Sequence, residues 1–401
     1  MNAYLIEWLS LLGRWLHLVT GIAWIGSSFY FIWLDNHLVP LANPKPEDEG
    51  IAGELWSVHG GGFYNSRKYR VAPPVLPPTL HWFYWEAYST FLSGFFLLCL
   101  LYYAQAEIYL IDPSVAALSK PVAIAIGVAF LAGGWVIYDA LCRSPLGRRG
   151  GLMGAVLAVL LSAAAWGLCH LFSGRGAFME FGAMLGTIMV ANVLFVIIPG
   201  QRELVRAKAA GRDPDPKHGL AGKLRSTHNT YFTLPVLFIM ISNHYAMTFG
   251  ARYNYLVLIA MCGAGTAIRV YFVARHKSFL RQGHTSPLPV VLGVLTLAGV
   301  AFALSPRPSG SGSGDSLPSF ARVQSIVAQR CSGCHTEHPT QAGFTAPPNG
   351  VLLDTPEHIL AHVVQMQQQI ASRAMPLGNI TGITEEERTQ MLSWLEHVSP
   401  R

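Results

Sequence analysis

Cys331-Ser332-Gly333-Cys334-His335 puts two thiols and an imidazole within one turn of chain. The spacing C-x-x-C-H is the signature of c-type haem attachment: the thiols bond the haem vinyl groups and the adjacent histidine becomes the proximal iron ligand. Two cysteines alone would also suit a structural zinc or a redox dithiol. The histidine directly after the second cysteine is what haem c requires. A second axial ligand is expected well downstream, and Met375, followed by Pro376, fits. A thioether ligand favours reduced iron and raises the potential. Cys331 and Cys334 are therefore the expected attachment points, and His335 and Met375 the expected metal ligands.

The residues after Leu317 carry the elements that must position these groups. Phe320 to Arg330 reads as a first helix leading into the attachment site, and Met375 to Asn379 as a loop that can present sulfur to iron. Thr384 is the expected N-cap of a last helix, with Glu387 at the third helical position as in a capping box. That helix is expected to run to about His397, with Met391, Leu392 and Leu395 on its apolar face. This last fifth of the chain resembles class I cytochromes c at both the attachment and the methionine motifs.

The preceding residues read as membrane. Hydrophobic residues make up 51% of the 401, charged residues 12%, and mean hydropathy is +0.35. A hydrocarbon core needs about 20 apolar residues per helix. Eight spans are expected: Trp8–Leu34, His81–Tyr103, Val122–Leu141, Leu152–Phe172, Phe178–Ile198, Thr230–Phe249, Tyr253–Val273 and Leu288–Leu304. The first is too long and too aromatic for a cleaved signal peptide and lacks a basic leader. The expected fold is all-α: an eight-helix transmembrane bundle over residues 1–305, a flexible Pro/Gly/Ser linker over 306–317, and a small all-α cytochrome c domain over 318–401. Such a linker behaves as a flexible tether.

Charge sets the orientation. With loops on alternate sides, one side collects seventeen lysines and arginines, among them Arg67, Arg148, Arg202 and Arg275. The interhelical loops of the other side hold only Lys120, Arg175 and Arg252. The positive-inside rule makes the first side cytoplasmic, which puts both termini outside. Haem c is attached outside the cytoplasm, so motif and charge count agree on independent grounds. The net charge of +6 follows from this topology and points to no nucleic acid. Cys99, Cys142, Cys169 and Cys262 lie in or beside apolar spans and read as small buried hydrophobes. No Walker, dinucleotide or nucleophile-elbow pattern is present.

Ionisable groups inside a membrane mark function by default. Here they include Arg14, His17, His81, Glu86, His170, His228, His244 and Arg269, with Asn229 beside them. The topology sorts His81, Glu86, His228, Asn229 and Arg269 to the cytoplasmic half, and His17, His170 and His244 to the outer half. An outer haem c is about 30 Å from a substrate oxidised near the inner face. Non-covalent haem b between helices would bridge that gap, His17 and His244 serving an outer haem and His81 and His228 an inner one. Against a simple stack, His228 and His244 are 16 positions apart, which at about 100° per residue puts them on nearly opposite faces of one helix. Pro235 lies between them and can kink it.

Trp56-Ser57-Val58-His59-Gly60-Gly61-Gly62-Phe63-Tyr64, Leu80-His81-Trp82-Phe83-Tyr84-Trp85-Glu86-Ala87-Tyr88, Ile198-Pro199-Gly200-Gln201-Arg202 and His228-Asn229-Thr230-Tyr231-Phe232-Thr233-Leu234-Pro235 through Ile241-Ser242-Asn243-His244-Tyr245 together resemble the bacterial membrane-bound urate oxidase (urate hydroxylase) family, nearly end to end and in order. Two positions depart from the pattern: Tyr84 stands where lysine is expected, and Val270 after Arg269 where histidine is expected. Leu16 to Gly26 is also distantly similar to membrane haem-handling proteins of protoporphyrinogen-oxidase type, which favours His17 as a haem ligand.

The resemblance implies an oxidoreductase of purine catabolism in a bacterial inner membrane, its cytochrome domain periplasmic. Urate would be oxidised to 5-hydroxyisourate with oxygen from water. Two electrons would leave through haem to the cytochrome domain, then to a respiratory acceptor such as a soluble cytochrome c or a terminal oxidase, not to O2. Urate is a planar monoanion, so Arg269 can pair with it in a forked geometry. Glu86 or His59 can act as base, and Asn229 can read a purine edge. Glu86 and Arg269 can instead form a buried ion pair. Gly60-Gly61-Gly62 can admit a flat ligand to the backbone or simply form a turn. A dehydrogenase for another small substrate and a haem-handling electron conduit remain open. A terminal oxidase is disfavoured, because no span contains the adjacent histidine pair of a copper site.

Overall fold

A computed structural model describes residues 3–279, 283–305 and 317–399; most of the expected linker, residues 306–316, lies outside them. The chain is mostly helical. Helix α1 (Ala3–His37) has 35 residues, about 52 Å at 1.5 Å per residue, more than a hydrocarbon core of about 30 Å needs. Next come α2 (Trp85–Leu97), prolonged by a π-helical turn at Leu98–Tyr103, α3 (Lys120–Arg143) and α4 (Gly150–Cys169). α5 (Gly174–Asn192) runs through a π-helical turn at Val193–Ile197 into α6 (Ile198–Ala209). The wide turn comes just before Pro199, which cannot donate an i−4 hydrogen bond and whose ring crowds the preceding turn. Then follow α7 (Pro216–Ser242), α8 (Asn254–Phe279) and α9 (Leu288–Ala303).

Among the described residues, six helices are long and apolar enough to cross a membrane: α1, α2 with its extension, α3, α4, the continuous α5–α6 and α8. The expected spans at Thr230–Phe249 and Leu288–Leu304 fall on helices outside that set. α7 starts polar, with Lys217, Lys223 and Arg225 ahead of its apolar part, and α9 is a shorter apolar helix. The α5–α6 helix is the most enclosed of the six, whereas α1 lies at the edge and exposes Trp15, Leu16 and Ile22. Three glycines allow close helix approach, as small residues do in membrane bundles. A Cβ at Gly134 would lie 2.6 Å from Met184, one at Gly182 2.6 Å from Ile239, and one at Gly127 2.8 Å from Glu180 Oε1.

Three expectations are corrected. The chain is not all-α, because β1 (Ile51–His59) and β2 (Gly62–Tyr69) form an antiparallel hairpin. Gly60 and Gly61 have φ of 57° and 81°, the left-handed pair that a tight hairpin turn demands and glycine supplies. The glycine run is thus a turn. His81 is not in a span, since α2 begins only at Trp85. His244 is not on the helix of His228, since α7 ends at Ser242 and Asn243–His244 form a turn. The opposite-face objection therefore does not apply.

Residues 320–398 close around a core of their own, with Val323, Ile326, Met391 and Leu395 fully buried. Helix α10 (Phe320–Arg330) falls where the sequence puts it. α11 covers Val363–Ala371 and α12 Glu385–Val398. Thr384 accepts from the Glu387 amide and Glu387 accepts from the Thr384 amide, the reciprocal capping box. Phe320 stacks on Trp394 at 5.3 Å, joining first and last helices.

The close approach of α5 to α7 has a direct test. Gly182→Leu should overpack that contact at a cost of about 1–3 kcal/mol and lower the thermal midpoint in detergent. Gly154→Leu, with open space around its Cβ, should leave the midpoint unchanged. Equal midpoints would refute the packing.

Candidate functional site

In the C-terminal unit, Cys331, Cys334, His335 and Met375 line one cavity of about 360 Å³, with Val351, Leu353, Met366 and Ile370 among its walls. The attachment segment is a tight turn after α10: the Cys334 and His335 amides both donate to the Cys331 carbonyl. His335 Nδ1 sits 3.0 Å from the Val351 carbonyl, which fixes the ring and leaves Nε2 free, the second-shell arrangement of a metal-ligating histidine. Arg388 Nη1 donates to the Met375 carbonyl at 2.9 Å. The residues present fit a covalently held haem: two thiols, an oriented imidazole and a thioether around one largely apolar space. They fit the alternatives less well. Burial pushes the Cys331 thiol up to about 12, opposite to the lowered value of a redox dithiol. Among the described residues, no three of His, Cys, Asp and Glu converge on a metal position.

Arg330 ties this unit together. It donates to Glu387 at 3.1 Å and to the Thr381 carbonyl at 2.8 Å, clamping the end of α10 to the start of α12. Burial acts to raise the Glu387 carboxyl, but the Thr384 amide and the Arg330 guanidinium outweigh it, and the group titrates below its ordinary value.

Inside the bundle a polar network links α3, α5 and α7. Arg225 is 4% exposed. It donates to Asp139 at 2.6 Å and to Asn192 at 3.2 Å, and its guanidinium lies over Tyr138. Asn192 donates to Asn229 Oδ1 at 2.8 Å and to the Tyr138 hydroxyl at 3.2 Å. Asn229 in turn donates to the Met189 carbonyl at 2.9 Å, so both ends of its amide are engaged inside the protein. His228 Nδ1 meets the Tyr138 hydroxyl at 2.8 Å.

Arg269 is different. It is 8% exposed, and its guanidinium carbon lies 3.8 Å from the ring centre of Phe29. Its Nε has no hydrogen-bond partner, and among the described residues it makes no ion pair with a carboxylate. Glu86, in the first turn of α2, has its Oε2 buried and equally without a partner. The two therefore do not form the ion pair that would have explained both. Nearby, Ser28 and Thr230 hydroxyls meet at 3.3 Å and join α1 to α7 one residue from Phe29 and Tyr231.

The other candidates are placed less suggestively. His17 Nδ1 contacts the Thr90 carbonyl at 3.0 Å and Ser93 Oγ at 3.1 Å, with its ring against Gly94 of α2. His81 is exposed and packs edge-on against Phe83. His59 is exposed at the hairpin tip, and His244 is exposed in its turn.

The family model described as urate oxidase N-terminal matches residues 3–304, the helical bundle and its hairpin. The chain belongs to the urate oxidase N-terminal family. No curated protein and no solved structure is matched. The family match stops short of Cys331, so the cavity of the C-terminal unit lies beyond the urate oxidase region.

Within that region, four residues of the site escaped sequence reasoning. Asn192 and Arg225 were hidden because a lone asparagine and a loop charge give no signal until helices pack. Asp139 and Glu180 were missed although a carboxyl in an apolar run is itself a signal. Glu180 is fully buried, its Oε1 without a partner and its Oε2 3.5 Å from the Tyr103 hydroxyl.

Because the Glu387 value is lowered on folding, its stabilisation is complete at neutral pH and is lost as pH falls from about 4.3 through the folded value. Glu387→Gln should weaken amide protection of α10 and α12 by about 1–2 kcal/mol at neutral pH, with the penalty shrinking in acid. A penalty independent of pH would contradict the clamp.

Proposed function

We propose that this chain is a membrane-bound urate oxidase that passes electrons from urate through a C-terminal haem c to the respiratory chain. The observation that carries the reading is Arg269: a buried cation without an anion, inside the region that matches the urate oxidase family. A buried unpaired charge is costly, and a planar monoanion such as urate offsets it. Arg269 can pair with urate oxygens through its forked donors, while the Phe29 ring keeps water from the other face of the guanidinium.

The reaction is urate plus water to 5-hydroxyisourate, two protons and two electrons. Loss of electrons makes the purine ring acidic, and a base must then accept a proton. We assign this to Glu86, which has a free buried oxygen, over His59, which is exposed. Asn229 acts by holding α7 to α5 through Asn192 and Met189. Haem c, held by Cys331, Cys334, His335 and Met375, would supply one-electron acceptor chemistry.

For haem b in the bundle, His17 and His228 are the prepared ligands. Each has Nδ1 engaged and Nε2 free, as ligand imidazoles do. His81 and His244 are exposed and have no such support. We further propose an inner-membrane protein with eight spans, domains at 1–305 and 318–401, both termini outside and the cytochrome unit periplasmic, as the lysine and arginine distribution implies. The electron acceptor beyond it is a soluble cytochrome c or a terminal oxidase.

Arg269→Met should weaken urate binding by roughly 10- to 100-fold, the loss of a charge-assisted hydrogen bond, with Arg269→Lys intermediate. Equilibrium dialysis with radiolabelled urate checks this, and undiminished binding in Arg269→Met would remove urate from this position. Acid–acetone extraction, which frees haem b and leaves haem c attached, checks the second point. His17→Ala and His228→Ala should lower extractable haem, whereas His81→Ala and His244→Ala should not. A wild-type protein that releases none has no haem b.

A further inference from the structure

We infer that the face on which residues 372–379 rest against the helical bundle is the electron-entry face of the C-terminal unit, with Gly250 and Gly378 as the positioning residues that let the two surfaces meet. The inference rests on the proposed reading that urate reduces haem c, and adds to it where the electron crosses.

Three observations carry it. First, Pro376 and Leu377 line two cavities at once. One is the cavity of Cys331, Cys334, His335 and Met375; the other, of about 220 Å³, lies between the C-terminal unit and the end of the bundle near Tyr109, Phe249 and Gly250. The wall between bundle and haem cavity is thus a single stretch of loop. Second, the approach is closed by glycine on both sides. Gly378 has φ 53°, and a Cβ there would lie 2.7 Å from the Ile108 carbonyl oxygen and 2.9 Å from that of Ile111. A Cβ at Gly250 would overlap the Ser372 carbonyl oxygen. These obstacles are backbone atoms, which cannot swing aside. Third, charge faces charge across the gap. Asp112 of the bundle and Arg388 of the C-terminal unit both line the cavity between them, and Arg388 donates to the Met375 carbonyl. The bundle end thus presents a carboxylate toward the side chain that holds the residue expected to ligate iron.

Electron tunnelling falls steeply with distance, so a face held at van der Waals contact and one loop from the haem cavity is where transfer is fastest. Each urate releases two electrons as water adds and two protons leave. A haem c held there would take one electron at a time: in turnover a one-electron oxidant such as ferricyanide would restore it between the two crossings, and under argon with no oxidant added one urate would reduce the haem c of two protein molecules.

The test uses the full-length protein. Gly250 has an ordinary φ of −85°, so Gly250→Leu acts by separating the surfaces and not by straining the backbone. Stopped-flow reduction of haem c by urate under argon should slow on the order of tenfold or more. The KM for urate, the haem c midpoint potential and its dithionite-reduced spectrum should not change. A merely structural glycine would alter spectrum or potential. Asp112→Lys, which reverses the charge facing Arg388 at the cost of the two bonds Asp112 accepts from Ser114, should slow the same step by about fivefold, a repulsion of about 1 kcal/mol, and it decides the matter if Gly250→Leu does not fold. Wild-type rates in Asp112→Lys and in any folded Gly250→Leu would overturn the entry face while leaving the urate reading intact. Absence of urate-driven reduction in the wild-type chain would overturn both.

Discussion

Arg269 sets the terms for the bundle. A guanidinium cannot be neutralised by losing its proton at any ordinary pH, so its burial must be offset by contacts. Here the contact is the face of Phe29, worth about 2 kcal/mol when desolvated and short of the cost of burying a charge. The site is therefore electrostatically incomplete. The elements around it are fastened independently: α1 to α7 through Ser28 and Thr230, and α3, α5 and α7 through Asp139, Arg225, Asn192 and Asn229. In the proposed reading this fixed cation with an unfilled donor is preorganised for a planar anion, since no partner acid has to be displaced first.

Arg225 shows the opposite solution to the same problem. It is as buried as Arg269, yet Asp139 neutralises it and Asn192 takes a further donor. Removing one member of such a group leaves an uncompensated buried charge, so its role is to fix three helices. Two arginines in one bundle thus separate cleanly into a structural cation and a waiting one. Beyond the bundle, Arg330 and Arg388 repeat the structural role. They fasten α10 to α12 through Glu387 and hold the carbonyl of Met375.

What could be read in advance followed from local chemistry. The run from Cys331 to His335, Met375, the Thr384–Glu387 capping box and the limits of α10 all depend on residues close in sequence, and the structure gathers the first four side chains around one cavity. Most long helices followed from apolar length. The misses needed tertiary information or finer turn chemistry. The hairpin turned on two glycines with positive φ, which a single-window reading takes for a loop. His81 and His244 were placed inside spans because hydropathy does not register where a helix begins or ends. The pairing of Arg225 with Asp139, 86 positions apart, has no local trace.

The proposed urate oxidation at Arg269 and the proposed reduction at the C-terminal cavity are joined only if electrons pass within one chain. The most direct measurement is the visible spectrum of the purified full-length protein, oxidised and held under argon, as urate is added. The account predicts the sharp absorption of reduced haem c with urate and none with xanthine or allantoin. A spectrum that stays oxidised with urate, in protein that dithionite reduces fully, would contradict it.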